Sequence, residues 1–120
     1  MLDQITISSN NIQQTINQGW GYGISVIGGQ SVSNLGLSLR NVIRGLSIVN
    51  NDIGQNATGI QVFGGEGVGA EDNLVIIADI SENTLIGNNL PTDIRENILG
   101  AIQNTIITLS GKVNLPMILR

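Results

Sequence analysis

A short pattern that occurs four times constrains the fold of this chain more than any other feature. In each copy an asparagine follows alternating apolar residues, and Ile or Leu comes two positions after it. The copies read ITISSNNI, LSIVNNDI, ADISENTL and LGAIQNTI, at residues 5–12, 46–53, 78–85 and 99–106. Apolar residues alternate with polar ones in these segments, which is the period of a β-strand and not of a helix.

The spacing of the copies predicts a coil of parallel strands. The intervals between their asparagines shorten along the chain. We interpret the first interval as two turns, the second as one turn with an insertion and the third as one turn without an insertion. A unit of about 21 residues with short strands is typical of a parallel β-solenoid, in which each turn lies on the preceding one. Inward Ile, Leu and Val side chains then stack in columns. We therefore expect an all-β solenoid of about five turns, with residues 1–120 forming one domain.

The repeated asparagines are predicted to form a ladder at one bend of the coil. Asparagine tolerates left-handed backbone angles, and its amide can bond to the asparagine of the next turn. The predicted rungs of this structural ladder are Asn10, Asn51, Asn83 and Asn104. Asn41, which precedes Ile43 by two positions, resembles a degenerate copy of the same bend and suggests an intermediate turn.

Two of the three aromatic residues, Trp20 and Tyr22, alternate with glycine in an insertion. From the motif isoleucine to the second glycine of a Gly-Gly pair, the first copy runs over residues 12–29 and the second over residues 53–65, so the first is longer by five. In an extended chain both rings project from the same side, as a platform that stacks on a sugar requires. The alternative is that this loop folds over an apolar edge of the solenoid.

The region 92–104 fits a short helix as well as an irregular turn. Thr92 follows Pro91 and suits a helix N-cap, and apolar residues stand at positions 94, 98, 102 and 106. A helix here would cap one end of the coil, and the fourth copy of the pattern would then be false.

Composition excludes several classes of function. The chain is 41% hydrophobic but only 2% aromatic, so its core must be aliphatic. It contains no Cys and no His, which excludes the usual zinc, haem and thiol chemistry, and we predict no such metal site. The net charge is −4 with scattered basic residues, so we expect no nucleic-acid partner. No apolar run reaches membrane-spanning length, and the sequence shows no signal peptide.

The segment LSIVNNDIGQNATGIQVFGG, residues 46–65, resembles a turn of the right-handed parallel β-helix proteins of the pectate-lyase-like superfamily. In particular it is similar to their degenerate right-handed β-helix repeats, where N-x-I alternates with G-I-x-V. The resemblance implies a single-stranded, right-handed coil. It leaves activity open, because this superfamily includes lyases, hydrolases and non-catalytic modules. Members that cleave acidic polysaccharides use clustered Asp residues, often with calcium.

Asp52, Asp79 and Glu82 lie beside the predicted bends and are the candidate acidic residues for such chemistry. Two of them facing one another across turns would offer oxygens to a calcium ion. The sequence departs from the pectin hydrolases, which use a His, and it has no pair of adjacent aspartates. The alternative is that these side chains are solvated charges that keep an Ile-rich protein soluble.

These observations favour a non-catalytic structural or adhesion module of a bacterial extracellular or surface protein. Its expected partners are polysaccharide, or a second copy bound through apolar solenoid ends with unpaired strand edges. The chain is then a piece of a longer β-helix or an assembling subunit. The alternative is part of a polysaccharide lyase or glycoside hydrolase, with acidic residues on the solenoid face.

Overall fold

Short β-strands make up all the regular secondary structure in the computed structural model, which describes residues 1–13, 21–31 and 36–109. No helix occurs within these residues, and therefore none that would cross a membrane. The strands are β1 (Leu2–Asp3), β2 (Thr6–Ser8), β3 (Asn11–Gln13), β4 (Tyr22–Ile27), β5 (Ser38–Leu39), β6 (Val42–Val49), β7 (Asp52–Gly54), β8 (Thr58–Glu66), β9 (Ala70–Glu71), β10 (Leu74–Ser81), β11 (Leu90–Ile98) and β12 (Thr105–Thr108).

These strands form four separate sheets, and every pairing is parallel. Sheet A contains β1, β2, β6, β10 and β12; sheet B contains β3 and β7; sheet C contains β4, β8 and β11; sheet D contains β5 and β9. The chain visits the sheets in the order A, B, C, D and then repeats that order, and we call each such run a pass. The prediction of an all-β fold of parallel strands is confirmed, whereas the right-handed single-stranded β-helix stays a prediction.

The distance along the chain between paired residues corrects the predicted repeat. Asn51 and Asn83 are hydrogen-bonded neighbours 32 residues apart, and Asn73 and Asn104 are neighbours 31 residues apart. One pass therefore takes about 32 residues, and the shorter unit predicted from the asparagine intervals is wrong. Within the described residues the strands enter sheet A in four passes and sheet C in three, so the prediction of five turns is also wrong.

Aliphatic side chains stack in columns between the sheets, as the alternating pattern predicts. Ile7 pairs with Ile48, and Ile48 pairs with Ile80, in three successive passes of sheet A. Ile12 pairs with Ile53 in sheet B in the same way. The buried core cluster is Ile24, Ile43, Leu46, Ile48, Ile53, Ile60, Val62, Val75, Ile77, Ile80 and Ile94, with Leu85 and Ile106 packed against it. Each fully buried Ile or Leu stabilises the fold by about 1.5–3 kcal/mol relative to an exposed one.

The helix expected in the region 92–104 is absent, because residues 90–98 form strand β11. This strand pairs with β8 along its length, and its residues Thr92 and Ile94 are fully buried. Apolar residues four positions apart satisfy a strand as well as a helix, since four is a multiple of the strand period of two. Pro91 is tolerated because β11 pairs with β8 alone among the described strands and so forms an edge of sheet C.

The predicted five-residue insertion lies between β3 and β4. The hydrogen-bonded pair Asn10 and Asn51, just before β3 and β7, is separated by 41 residues. The hydrogen-bonded pair Ser25 and Gln61, in β4 and β8, is separated by 36. The first pass therefore contains five more residues than the second between these two points, which confirms the count from the sequence. Residues 14–20, which belong to the segment between β3 and β4, lie outside the described residues.

Glycine in sheet C permits a very close approach between passes. A Cβ atom added to Gly64 would lie 2.6 Å from the carbonyl oxygen of Glu96 in the next pass. Such a contact is shorter than van der Waals packing allows, so any other residue here would push the two strands apart.

We expect Gly64→Ala to lower the free energy of unfolding by about 1–3 kcal/mol, because the new methyl group meets the backbone of β11. Urea denaturation followed by circular dichroism measures this change. Gly36→Ala is the matched control, because a Cβ there has no neighbour within 4 Å. Equal denaturation midpoints for the two variants would show that sheet C does not need this close approach.

Candidate functional site

The carboxamide of Asn51 connects three passes at the bend between sheets A and B. Its Oδ1 accepts hydrogen bonds from the backbone N–H and Nδ2 of Asn10, at 3.1 and 3.0 Å. Its own backbone N–H and Nδ2 donate to Oδ1 of Asn83, both at 3.0 Å. Asn51 is only 1% exposed, so these bonds satisfy polar groups that water does not reach. Asn10, Asn51 and Asn83 thus form the ladder that the sequence predicts.

Asn104 belongs to a different ladder, which corrects the prediction that it is the fourth rung of the first. At the bend between sheets D and A, Asn41 donates to Asn73 at 2.9 Å, and Asn73 donates to Asn104 at 2.8 Å. Asn104 then donates to Oδ1 of Asn97 at 2.8 Å. The interval between Asn83 and Asn104 is shorter than one pass, so these two residues lie at different bends and not at the same bend of successive passes. Asn41 likewise marks this second bend and not an intermediate turn.

A third ladder lies at the bend between sheets B and C. Oδ1 of Asn88 accepts hydrogen bonds from the backbone N–H and Nδ2 of Asn56, at 3.0 and 3.3 Å. Asn88 in turn donates to the carbonyl oxygen of Ile53 at 2.8 Å. Three of the four bends in the described residues therefore contain hydrogen-bonded asparagine carboxamides from successive passes.

The left-handed residue at these bends precedes the asparagine, whereas the sequence argument assigned the left-handed angle to the asparagine itself. The residues before ladder asparagines with φ between 55° and 61° are Ser9, Arg40, Asn50, Gln55, Asp72, Glu82 and Gln103. This residue bends the chain sharply and leaves the following backbone N–H without a strand partner. The carboxamide oxygen of the next pass accepts from that N–H, so each ladder satisfies the bend that it occupies.

The three candidate carboxylates do not face one another. Asp52 lies between Asn11 and Thr84 in the neighbouring passes, and Asp79 pairs with Ser47. Glu82 directly precedes the ladder residue Asn83 and is exposed. The predicted meeting of two of these carboxylates across turns is therefore wrong, because the observed register places neutral residues opposite Asp52 and Asp79. Among the described residues, no group of three acidic side chains forms a metal-binding cluster.

Asp52 and Asp79 nevertheless differ in their surroundings. Asp52 is exposed, and its Oδ1 accepts a hydrogen bond of 3.2 Å from Nε2 of Gln13. Asp79 is half-buried, and within the described part of the chain its Oδ1 is a buried polar atom without a hydrogen-bond partner. A carboxylate oxygen in this state is a free acceptor for a proton donor or a cation.

Tyr22 is the one member of the predicted aromatic platform that the structure describes. It is the first residue of β4, pairs with Thr58 of β8 and is 56% exposed. Its ring is therefore open to solvent at the end of the insertion. Trp20 lies outside the described residues.

A row of polar side chains crosses sheet C and was not identified from the sequence. The register aligns Ser25, Gln61 and Asp93 in three successive passes, and Gln61 Nε2 donates to Ser25 Oγ at 2.9 Å. Arg95 donates to both carboxylate oxygens of Asp93, at 2.9 and 2.6 Å, and lies 5.0 Å from the centre of the Phe63 ring. Asp93 is 4% exposed, so its charge is balanced by a bidentate guanidinium rather than by water.

This row of polar side chains could be predicted from the sequence if the length of one pass were known. With the correct period of 32 residues, TGIQVFG at positions 58–64 aligns with LPTDIRE at positions 90–96. Gln61 then stands above Asp93, and Phe63 above Arg95. The shorter period inferred from the asparagines hid this alignment.

The first and second passes are also connected by an exposed ion pair in sheet A. Arg44 donates through Nε to Oδ1 of Asp3 at 3.1 Å and through a second nitrogen to Oδ2. The hydrogen bond from Arg44 lowers the pKa of Asp3 below its ordinary value, and the carboxylate raises the pKa of Arg44. Both side chains are exposed, so water screens the pair and its contribution to stability is small.

Comparison of the chain with models of known protein families, with characterised proteins and with solved structures gave no match.

We expect Asn51→Ala to lower the free energy of unfolding by about 3 kcal/mol, because it removes the acceptor of both Asn10 donors and the Nδ2 bond to Asn83, whose Oδ1 retains only the backbone N–H of residue 51. Thermal and urea denaturation measure the loss. Asn11→Ala is the matched control, since Asn11 is exposed in the adjoining strand β3. If both variants unfold at the same urea concentration, the ladder does not stabilise the protein.

Proposed function

We propose that this chain is a non-catalytic structural or adhesion module with a right-handed, single-stranded β-helical coil, from a bacterial extracellular or surface protein. The finer fold and the location follow from the resemblance of residues 46–65 to the β-helix repeats of the pectate-lyase-like superfamily. The repeated order of sheets A, B, C and D is what such a coil would produce. The partners that we propose are polysaccharide and a second copy of the chain.

One observation carries this proposal, namely the three carboxamide ladders that connect successive passes. They bond each of these bends to the same bend of the next pass, as in the contacts of Asn51 with Asn10 and Asn83 at 3.0 Å. Hydrogen bonds thus connect the bends of successive passes, and the aliphatic columns connect their interiors by apolar packing. Such a framework suits a protein that presents a rigid surface to a partner, and it requires no moving part.

The exposed ring of Tyr22 is the feature of this surface that best suits a carbohydrate. A flat ring with a polar tip stacks on the C–H face of a sugar, while its hydroxyl bonds to sugar hydroxyls. Tyr22 lies at the start of β4, directly after the insertion that contains Trp20. The proposed binding surface is therefore the junction between this insertion and sheet C.

We expect Tyr22→Ala to weaken binding to bacterial or plant polysaccharides on a glycan array by about tenfold, through loss of ring stacking. Trp20→Ala should have a similar effect. Tyr22→Phe retains the ring and loses only the hydroxyl, so it should weaken binding less than Tyr22→Ala does. Leu37→Ala removes an exposed apolar side chain elsewhere, so this control should bind as the wild type does. Equal binding by all variants would remove the aromatic residues from the site.

A second candidate function, cleavage of an acidic polysaccharide, is favoured by the buried Oδ1 of Asp79, which has no hydrogen-bond partner among the described residues. In this alternative the chain is part of a lyase or hydrolase, and the free oxygen accepts a proton or contributes to a calcium site. Hard cations such as calcium prefer oxygen ligands of this kind.

If this second candidate is correct and the chain is part of a lyase, incubation with a uronate polymer and calcium should produce unsaturated ends that absorb ultraviolet light. A hydrolase would instead produce new reducing ends, which a reducing-sugar assay measures. Asp79→Asn should reduce the initial rate by about 100-fold, the lower range for loss of an acid or base group. Asp52→Asn, which changes an exposed carboxylate already bonded to Gln13, should leave the rate unchanged. No absorbance change with any uronate polymer would exclude lyase activity for this chain.

A further inference from the structure

Sheet C contains columns of glycine that let successive passes approach closely. A Cβ atom on Gly23 would lie 2.6 Å from the carbonyl oxygen of Gly59 in the next pass. A Cβ atom on Gly28 would lie 2.4 Å from the carbonyl oxygen of Gly64. In each case the carbonyl group of the next pass occupies the space that a side chain would need.

A neighbouring column of glycines makes room for the second ladder. A Cβ atom on Gly29 would lie 2.4 Å from Nδ2 of Asn73, and one on Gly65 would lie 2.3 Å from Nδ2 of Asn104. The carboxamides of that ladder therefore pack directly on the glycine of the pass beside them. This is the physical role of the two Gly-Gly pairs in GISVIGG and GIQVFGG.

All three columns end in β11. The register places Asn97 opposite Gly65, so Glu96 stands opposite Gly64 and Pro91 stands opposite Gly59. Each of these three residues has a Cβ atom where the two earlier passes have glycine. The carbonyl oxygens of Pro91 and Glu96 would lie 2.6 Å from a Cβ atom on Gly59 and on Gly64. If a further strand continued the same alignment, its carbonyl oxygens would meet the Cβ atoms of Pro91 and Glu96 in the same way.

Asn97 also ends the second ladder. Its Oδ1 accepts hydrogen bonds from the backbone N–H and Nδ2 of Asn104, at 3.1 and 2.8 Å. In the earlier passes the acceptor for these two donors is the asparagine of the following pass. Asn97 comes from β11 itself, only seven residues before Asn104, and replaces a rung that a further pass would supply.

We infer that β11 is a terminal strand, closed to a further parallel strand by the Cβ atoms of Pro91, Glu96 and Asn97. This edge excludes head-to-tail association with a second copy of the chain, whose strand β4 would otherwise continue sheet C. The self-association proposed above would therefore use the opposite end of the coil. The inference rests on the proposed function in one respect, because it treats the passes as units that stack. Proline and charged residues on an edge strand are a known protection against edge-to-edge association, and here the close contacts give that protection a specific geometry.

The test opens the edge. The variant P91G/E96G/N97G places glycine in β11 at all three aligned positions. We expect this variant to associate with itself at least about tenfold more tightly than the wild type. Sedimentation velocity over a range of concentrations measures this association. The matched control is P91A/E96A/N97A, which removes the same ring, charge and carboxamide but keeps the three Cβ atoms. The control should sediment as the wild type does. Circular dichroism verifies that each variant is folded, and E96G/N97G replaces the triple variant if the latter unfolds.

Two results would overturn the inference. If the alanine variant associates as strongly as the glycine variant, charge and carboxamide close the edge, and the Cβ atoms do not. If neither folded variant associates more than the wild type, β11 is not a closed edge at all. A wild type that is monomeric at every concentration would count against self-assembly as the proposed function, but it would leave the comparison of the glycine and alanine variants intact.

Discussion

Parallel pairing between strands of successive passes is the interaction on which the rest of this structure depends. It joins β6 to β10 in sheet A and β8 to β11 in sheet C, and it places like residues of successive passes side by side. The aliphatic columns, the carboxamide ladders and the glycine columns all follow from this one register. A shift of one residue would turn the buried side chains outward and break the ladders at once, so the core and the bends enforce the same alignment.

At the bends, hydrogen bonds between asparagine side chains stabilise the stacking of an otherwise apolar structure. Each bend needs a left-handed residue, which in L-amino acids costs about 1–2 kcal/mol, and it leaves a backbone N–H without a strand partner. The ladder asparagine satisfies that N–H through the carboxamide of the next pass, as Asn83 does for Asn51 at 3.0 Å. The unfavourable conformation of one residue is thus offset by hydrogen bonds that exist only when another pass lies beside it. Folding of one pass and docking of the next are therefore coupled.

The same dependence explains why the outer edges of the parallel sheets matter for the proposed function. A pass that lacks a neighbour has open backbone groups and unfinished ladders, and a stacking protein must either close these ends or use them for a partner. In sheet C the last pass differs from the earlier ones at the positions that permit stacking, where Pro91, Glu96 and Asn97 stand. At the other edge of this sheet, β4 contains Gly23, is followed by Gly28 and Gly29, and begins with the exposed residue Tyr22. The two edges thus have different chemistry, as expected for a module that meets its partner on one side.

The sequence by itself determined the strand period, the aliphatic core, the five-residue insertion and the ladder formed by Asn10, Asn51 and Asn83, because these depend on local alternation and on residue type. The length of one pass, the separate ladder of Asn104 and the strand at residues 90–98 were decided by the tertiary structure. Similar asparagine motifs occur at different bends of one pass, so their spacing along the chain does not reveal which of them stack. Only the pairing of strands from different passes does so, and the same pairing places Phe63 of β8 beside Arg95 of β11, which bonds locally to Asp93.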